Sequence, residues 1–282
     1  MDELDFSKPA GPPAPPVNLA ASLDFFRTAG VAENVDTGTN IFVEDEKAGL
    51  FSFSKSRKMY LLLEGEVNLI AANKLIAVVR AGEIFGEMAA ISESPRAATA
   101  VAKVPCRLIS MDDKGFHAAL KAKPDFALTL LGMMINRLRG MLARMQDPAS
   151  LSEAKKESRV FDKGLLGALA KGLGPANSAK VEKGKTIMTE GQAGAMMYVV
   201  LEGRVAVSIQ GKVVERVGAG GVLGEMALVD QSPRAATALA EVESVLLTIN
   251  RGVFLQLVKT QPEFGVALLA AAAERVRFMA SR

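Results

Sequence analysis

The sequence predicts a mainly β protein with flanking helices: two tandem antiparallel β jelly-roll barrels, each with an N-terminal helix and a C-terminal helical lid. Three observations carry this. The chain repeats itself, because Tyr60–Thr99 aligns without a gap on Tyr198–Thr237, at an offset of 198 − 60 = 138 residues. Within each copy, short apolar runs alternate with Gly or Asn turn signals, the spacing of an antiparallel barrel. Each copy then ends in a helical tail, the first with apolar residues at three- and four-residue steps, the period of an amphipathic helix.

The chain opens on Pro9-Ala10-Gly11-Pro12-Pro13-Ala14-Pro15-Pro16, a composition that favours an extended tail over packing, so residues 1–18 are read as disordered. Leu19–Ala29 follows as a short amphipathic helix. The first barrel's strands are read at Tyr60–Leu63, Glu66–Ala71, Leu75–Val79 and Cys106–Met111, parted by turns such as Glu64-Gly65 and Ala72-Asn73. Upstream of these strands Gly38 pairs with Gly184, an offset of 146, so the first copy holds about eight additional residues between Asp45 and Met59, read as a longer loop around Phe51–Lys58. After a short helix at Lys114–Leu120, the Pro124 break introduces a helix over Asp125–Met145, with Leu131, Met134, Leu138, Met141 and Met145 on one stripe. That stripe is either a brace over its own barrel or a seam to a second chain; its length suits the brace better. Asp147-Pro148 divides the repeats, giving domains at 19–147 and 148–282. The second repeats the plan, with helices at Val160–Leu173 and Pro262–Met279.

Composition narrows the function classes. Apolar runs are broken by Arg, Glu or Lys before the ~18 residues a spanning helix needs, so no membrane partner is expected. The N-terminus carries no basic stretch followed by an apolar core, and Cys106 is the single cysteine, which together suit a reducing cytoplasm. A net charge of +3 with Lys and Arg scattered lacks the electrostatic footprint of a DNA binder. One histidine, His117, and one cysteine build neither a zinc site nor a Cys/His nucleophile pair, so metal and catalytic residues are expected to be absent and both side chains are read as packed or surface groups.

The chemistry lies in one loop that occurs twice. Gly86-Glu87-Met88-Ala89 precedes Pro95-Arg96-Ala97-Ala98-Thr99, and Gly224-Glu225-Met226-Ala227 precedes Pro233-Arg234-Ala235-Ala236-Thr237; acid and guanidinium stand 96 − 87 = 9 and 234 − 225 = 9 residues apart. A glycine lets main chain approach a ligand, the following turn presents amides at a helix N-terminus, and arginine offers a planar fork to phosphate oxygens. The carboxylate is suited to a hydroxyl such as a ribose 2′-OH, or to steadying the arginine. These parts suit one anion and one sugar hydroxyl.

In these residues the chain resembles the cyclic nucleotide-binding domain superfamily, whose phosphate-binding cassette reads F-G-E-L-A-L, a variable stretch, then P-R-A-A-T. Here the copies read Phe85-Gly86-Glu87-Met88-Ala89-Ala90 and Leu223-Gly224-Glu225-Met226-Ala227-Leu228, both ending in Pro-Arg-Ala-Ala-Thr. The resemblance extends from about residue 19 onward and includes the turns Glu64-Gly65 and Glu202-Gly203. It implies that Arg96 and Arg234 hold a cyclic phosphate and that Glu87 and Glu225 take the ribose 2′-OH. Gly86, Ala89, Ala97, Gly224, Ala227 and Ala235 would supply close contacts, with Met88, Ala98, Met226 and Ala236 completing the two ligand-binding loops. In this family a Thr or Ser directly after the arginine accompanies cGMP preference; Ala97 and Ala235 therefore lean toward cAMP, with cGMP as a second ligand. Phe161 and Phe278 are the aromatic candidates for covering the base, core packing being the alternative for both.

The resemblance implies a cytoplasmic cAMP receptor, not an enzyme, that shifts its C-terminal helices on binding and signals to an unidentified protein partner. Only Pro262–Arg282 follows the second barrel's short helix, too little for a helix-turn-helix, so DNA is not expected as a partner. The rival readings are an inhibitory regulatory subunit of a protein kinase, related to the cAMP-dependent kinase subunits by its tandem domains, and a non-binding tandem-barrel scaffold. Lys155-Lys156-Glu157-Ser158 superficially fits a kinase-inhibitor segment but lies between the domains, as a solvated helix face would.

Overall fold

A computed structural model describes residues 19–45, 57–142, 159–230 and 233–280. The proline-rich tail, most of the Phe51–Lys58 loop, Asp147-Pro148 and Lys155–Ser158 lie outside the described residues, as does the side chain of Phe278. The chain divides into two compact units, Met1–Ala127 with Leu269–Arg282, and Leu128–Leu268.

Each unit is built on one antiparallel β barrel, as the alternation of short apolar runs predicts. In the first, strands β1 (Val31–Val35), β2 (Asn40–Phe42), β3 (Met59–Glu64), β4 (Glu66–Ala71), β5 (Lys74–Arg80), β6 (Ile84–Phe85), β7 (Thr99–Ala102) and β8 (Cys106–Met111) form sheets of order β1-β8-β3-β6 and β2-β7-β4-β5. In the second, β9 (Ser178–Val181), β10 (Thr186–Met188), β11 (Met197–Glu202), β12 (Arg204–Ile209), β13 (Lys212–Gly218), β14 (Val222–Leu223), β15 (Thr237–Ala240) and β16 (Ser244–Ile249) give β14-β11-β16-β9 and β10-β15-β12-β13, the same order. Register follows the repeat: Tyr60 pairs with Ser110 and Phe85, Tyr198 with Thr248 and Leu223. Leu62, Val67, Ala100 and Leu108 fill the first core, and Val200, Val205, Ala238 and Leu246 the second, each 138 residues on.

Helices flank the barrels. Helix α1 (Leu19–Phe26) is shorter than the sequence suggests. Its last turn closes with Gly30 N–H donating to Phe26 O at 2.8 Å, and a Cβ at Gly30 would stand 2.4 Å from Ile109, so the chain has to leave the helix there to enter β1. Between β6 and β7 lies the five-residue α2 (Glu87–Ile91). After β8, α3 (Asp113–Ala122) is capped by the Asp112 carboxylate, which accepts from Gly115 N–H at 2.8 Å, and α4 (Asp125–Leu142) follows. The second repeat opens with α5 (Lys163–Leu173). Val160 and Phe161 stay outside that helix because both amides donate to Gly220 O and Asp162 takes the cap. The short α6 (Ala227–Asp230) mirrors α2, and α7 (Arg251–Thr260), capped by Asn250, precedes α8 (Pro262–Ala280). Leu131, Met134 and Leu138 of the α4 stripe are buried. No helix among the described residues is long and apolar enough to cross a membrane.

Candidate functional site

The loop between β6 and β7 is organised by glycine. Gly86 caps α2 in the left-handed region at φ 70°, and Gly224 takes φ 76° at the same point of the second repeat. Space excludes a side chain there as firmly as conformation does. A Cβ on Gly86 would lie 3.0 Å from Arg96 Nη1, and one on Gly224 only 2.5 Å from Arg234 Nη1.

The glycine and the arginine, apart in sequence, meet through the main chain. Arg96 donates from Nη1 to Gly86 O and from Nη2 to Lys58 O, both at 2.8 Å, while Arg234 donates from Nη1 to Gly224 O at 3.1 Å. Each arginine is 7% exposed. Burying a guanidinium carries a desolvation cost that carbonyl bonds offset. The Arg96 guanidinium also stands 4.2 Å over the Phe42 ring, a cation–π contact, whereas Arg234 is 5.9 Å from Tyr198. Glu87 opens α2 and is 3% exposed; Glu225 is 8% exposed. Met88 and Met226 are half-buried, Ala89, Ala98 and Ala236 are buried, and Ala97 and Ala235 are exposed beside the arginines. Ala227 begins α6.

The threonine that closes each motif has a structural task. Thr99 Oγ1 accepts from Glu44 N–H at 2.9 Å and Thr237 Oγ1 from Glu190 N–H at 3.0 Å. The carboxylates of these glutamates accept in turn from Ala72 N–H and Gln210 N–H. Motif, β2–β3 connection and β4–β5 hairpin are thereby tied together in the first barrel, and their counterparts in the second.

Other candidates fall away from these loops. Phe161 is 1% exposed and stacks on Phe264 with ring centroids 5.4 Å apart, which is core packing. Cys106 is buried, donates to Val104 O at 3.1 Å, and burial pushes its thiol pKa up; Ser244 takes the same position and donates to Val242 O. His117 contacts Asp113 one turn earlier on α3. Among the described residues no cluster of three or more His, Cys, Asp or Glu is placed to hold a metal.

Sequence reasoning missed four contributors. Lys58 acts through its carbonyl, which no residue-type pattern reveals. Phe42 looks like any core aromatic in sequence. Gly194 sits where a Cβ would fall 2.2 Å from Arg234 Nε, and Arg277 of α8 donates to Pro95 O at 2.9 Å.

Compared with known proteins, the chain matches the model of the cyclic nucleotide-binding domain twice, over residues 34–123 and 179–261. The chain belongs to the cyclic nucleotide-binding domain family. The two family segments contain the two glycine–arginine loops. The cAMP-dependent protein kinase regulatory subunit of Eremothecium gossypii is 29% identical over 209 residues, covering 70% of this chain and 39% of that one. The cyclic AMP receptor protein of Thermus thermophilus is 32% identical over 86 residues, 29% of this chain and 40% of that protein. Among solved structures, the regulatory domain of Toxoplasma gondii PKA with cAMP is similar at 19% identity and a TM-score of 0.30, covering 90% of this chain and 86% of that one. The chain spans from 9% to 40% of the length of these and other curated relatives of its cyclic nucleotide-binding domains.

Proposed function

We propose that the chain is a receptor for a cyclic mononucleotide, preferring cAMP, with one site in each barrel. The observation that carries this is the doubled cassette. Twice, a left-handed glycine leaves room for an arginine that the glycine's carbonyl holds, and the residue after that glycine is a buried glutamate. A guanidinium so constrained has few rotamers left to lose on meeting a phosphate, which favours binding through preorganisation. Arg96 and Arg234 take the cyclic phosphate, and Glu87 and Glu225 the ribose 2′-OH. Main chain at Gly86 and Ala89, and at Gly224 and Ala227, closes on the ligand. Ala97 and Ala235, exposed and without a hydroxyl, support adenine over guanine by about one hydrogen bond, ~1 kcal/mol. The names of the kinase subunit and of the Thermus receptor support the same ligand class.

Nucleotide binding shifts the helices that follow each barrel by differential affinity for two helix positions, and a protein partner in the cytoplasm reads the change. The role is recognition and not catalysis. The match to a kinase regulatory subunit over 70% of the chain favours a kinase as the class of partner to test first.

Calorimetric titration of nucleotide-stripped protein with cAMP and with cGMP tests the reading, alongside Arg96→Lys and Arg234→Lys. Lysine keeps charge but loses the fork, so each variant loses its own site or weakens it by at least ~10-fold, about 1.4 kcal/mol. Absence of binding and of thermal stabilisation by either nucleotide would overturn the proposal in favour of a tandem-barrel scaffold.

A further inference from the structure

The ends of the two long helices are exchanged between the repeats. Leu269 onward, the end of α8, packs in the unit built on the first barrel, and α4 from Leu128 onward packs in the unit built on the second. One contact in each unit places the exchanged helix at a cassette. Arg277 of α8 donates from Nη1 to Pro95 O at 2.9 Å, directly before Arg96. Gly132 of α4 lies so close to Val229 of α6 that a Cβ would stand 2.9 Å from its Cγ1. The helix that follows one barrel in sequence thus attends the other barrel's cassette.

The bond to Pro95 has a specific consequence. The Pro95 carbonyl and the Arg96 amide share one peptide plane, so a donor on that carbonyl sets the plane's orientation. The next plane is fixed at Arg96 O, which accepts from Asp45 N–H at 2.9 Å. In the second cassette Arg234 N–H donates to Gln192 O, and Arg234 O accepts from Gly191 N–H, both at 2.8 Å. The first cassette draws one of its restraints from a side chain of the last helix. Arg277 also brings positive charge to the loop that carries Arg96.

We propose that Arg277 is a positioning residue for the first nucleotide site, acting through the Pro95–Arg96 peptide, so that the chain's last helix registers occupancy of the first site. This rests on the receptor reading above.

The test uses the full chain with one site silenced at a time. In an Arg234→Lys background, Arg277→Met is expected to weaken cAMP binding at the first site roughly 3- to 10-fold, the worth of one ordinary hydrogen bond. Arg277→Lys, which keeps the charge and a donor, recovers part of the loss. In an Arg96→Lys background the second site stays within about twofold. Hydrogen exchange in residues 86–98, measured without nucleotide, is expected to speed up in Arg277→Met while exchange in 224–230 is unchanged. Unchanged affinity and exchange at the first cassette, or equal effects at both, would overturn the assignment. A wild-type chain that binds no cyclic nucleotide would sink the receptor reading instead, and the exchange measurement would still decide on Arg277.

Discussion

The two cassettes share a motif letter for letter over Pro95–Thr99 and Pro233–Thr237, yet their arginines are held differently. Arg96 donates to two main-chain carbonyls and lies over Phe42, whereas Arg234, among the described residues, donates to one and stands farther from Tyr198. The cause lies outside the motif. Phe42 and Met188 occupy the same place, opposite Ala100 and Ala238, so only the first barrel offers an aromatic face there. Gly194 in the second repeat provides the space through which Arg234 runs. The motif therefore specifies which group each loop carries, while the barrel behind it sets how rigidly that group is held.

The largest expected asymmetry follows from Gly194. A Cβ there falls 2.2 Å from Nε, 2.5 Å from Cζ and 2.5 Å from Nη2 of Arg234, all at the far end of a flexible side chain. The barrel therefore tolerates Gly194→Ala while the guanidinium is pushed aside. We expect the second site to lose at least ~10-fold in affinity, about 1.4 kcal/mol, with the first site and the melting temperature nearly unchanged. Site-resolved titration checks this, and loss at both sites would refute the local steric account.

Next in size is Phe42→Leu, which removes the ring beneath Arg96. The lost cation–π contact is worth ~0.5–2 kcal/mol, and the buried ring also contributes to the first core. The first site should weaken roughly 3- to 10-fold, accompanied by a fall in melting temperature. Met188→Phe is the converse test: a ring placed there is expected to strengthen the second site, while Phe42→Leu weakens the first.

Much of this was legible in the sequence. The repeat implies two barrels; the strand at Glu66–Ala71 has the expected bounds because Gly65 and the Ala72-Asn73 turn punctuate it, and Cys106–Met111 also has the expected bounds. The short strands β1, β2, β6 and β7 were not separately legible, since two to five residues carry too little alternation to show a period. The glycine–arginine loops stood out because their chemistry is written in residue type. The Lys58 carbonyl and the Arg277 bond to Pro95 did not, for opposite reasons: every residue has a carbonyl, and Arg277 is 182 residues from its acceptor. Helix ends shifted where a cap or a close approach decided them, as at Asp162 and Gly30.

The smallest effect concerns what stands behind the Lys58 carbonyl. Lys58 Nζ donates to Glu33 Oε1 at 2.8 Å, and Ser110 Oγ donates to the same oxygen, so the residue before β3 is tied to β1 and β8. The second repeat has Ala179, Met196 and Thr248 at these places and lacks the cluster. Burial acts to raise the Glu33 pKa, but the bonds from Lys58 and Ser110 and the lysine's charge outweigh it and leave the pKa lowered. A carboxylate with a lowered folded-state pKa contributes stability above its unfolded value, near 4.5, and that contribution is lost as pH falls through the folded pKa. Glu33→Gln should therefore melt about 1–3 °C below wild type at pH 7, the scale of a partly exposed pair. The gap should close as the pH drops below the usual carboxylate range, and first-site affinity should change by no more than about twofold. Melting curves from pH 3 to 7 measure this, and a gap that stays constant across that range would mean that Glu33 acts through packing and not through its charge.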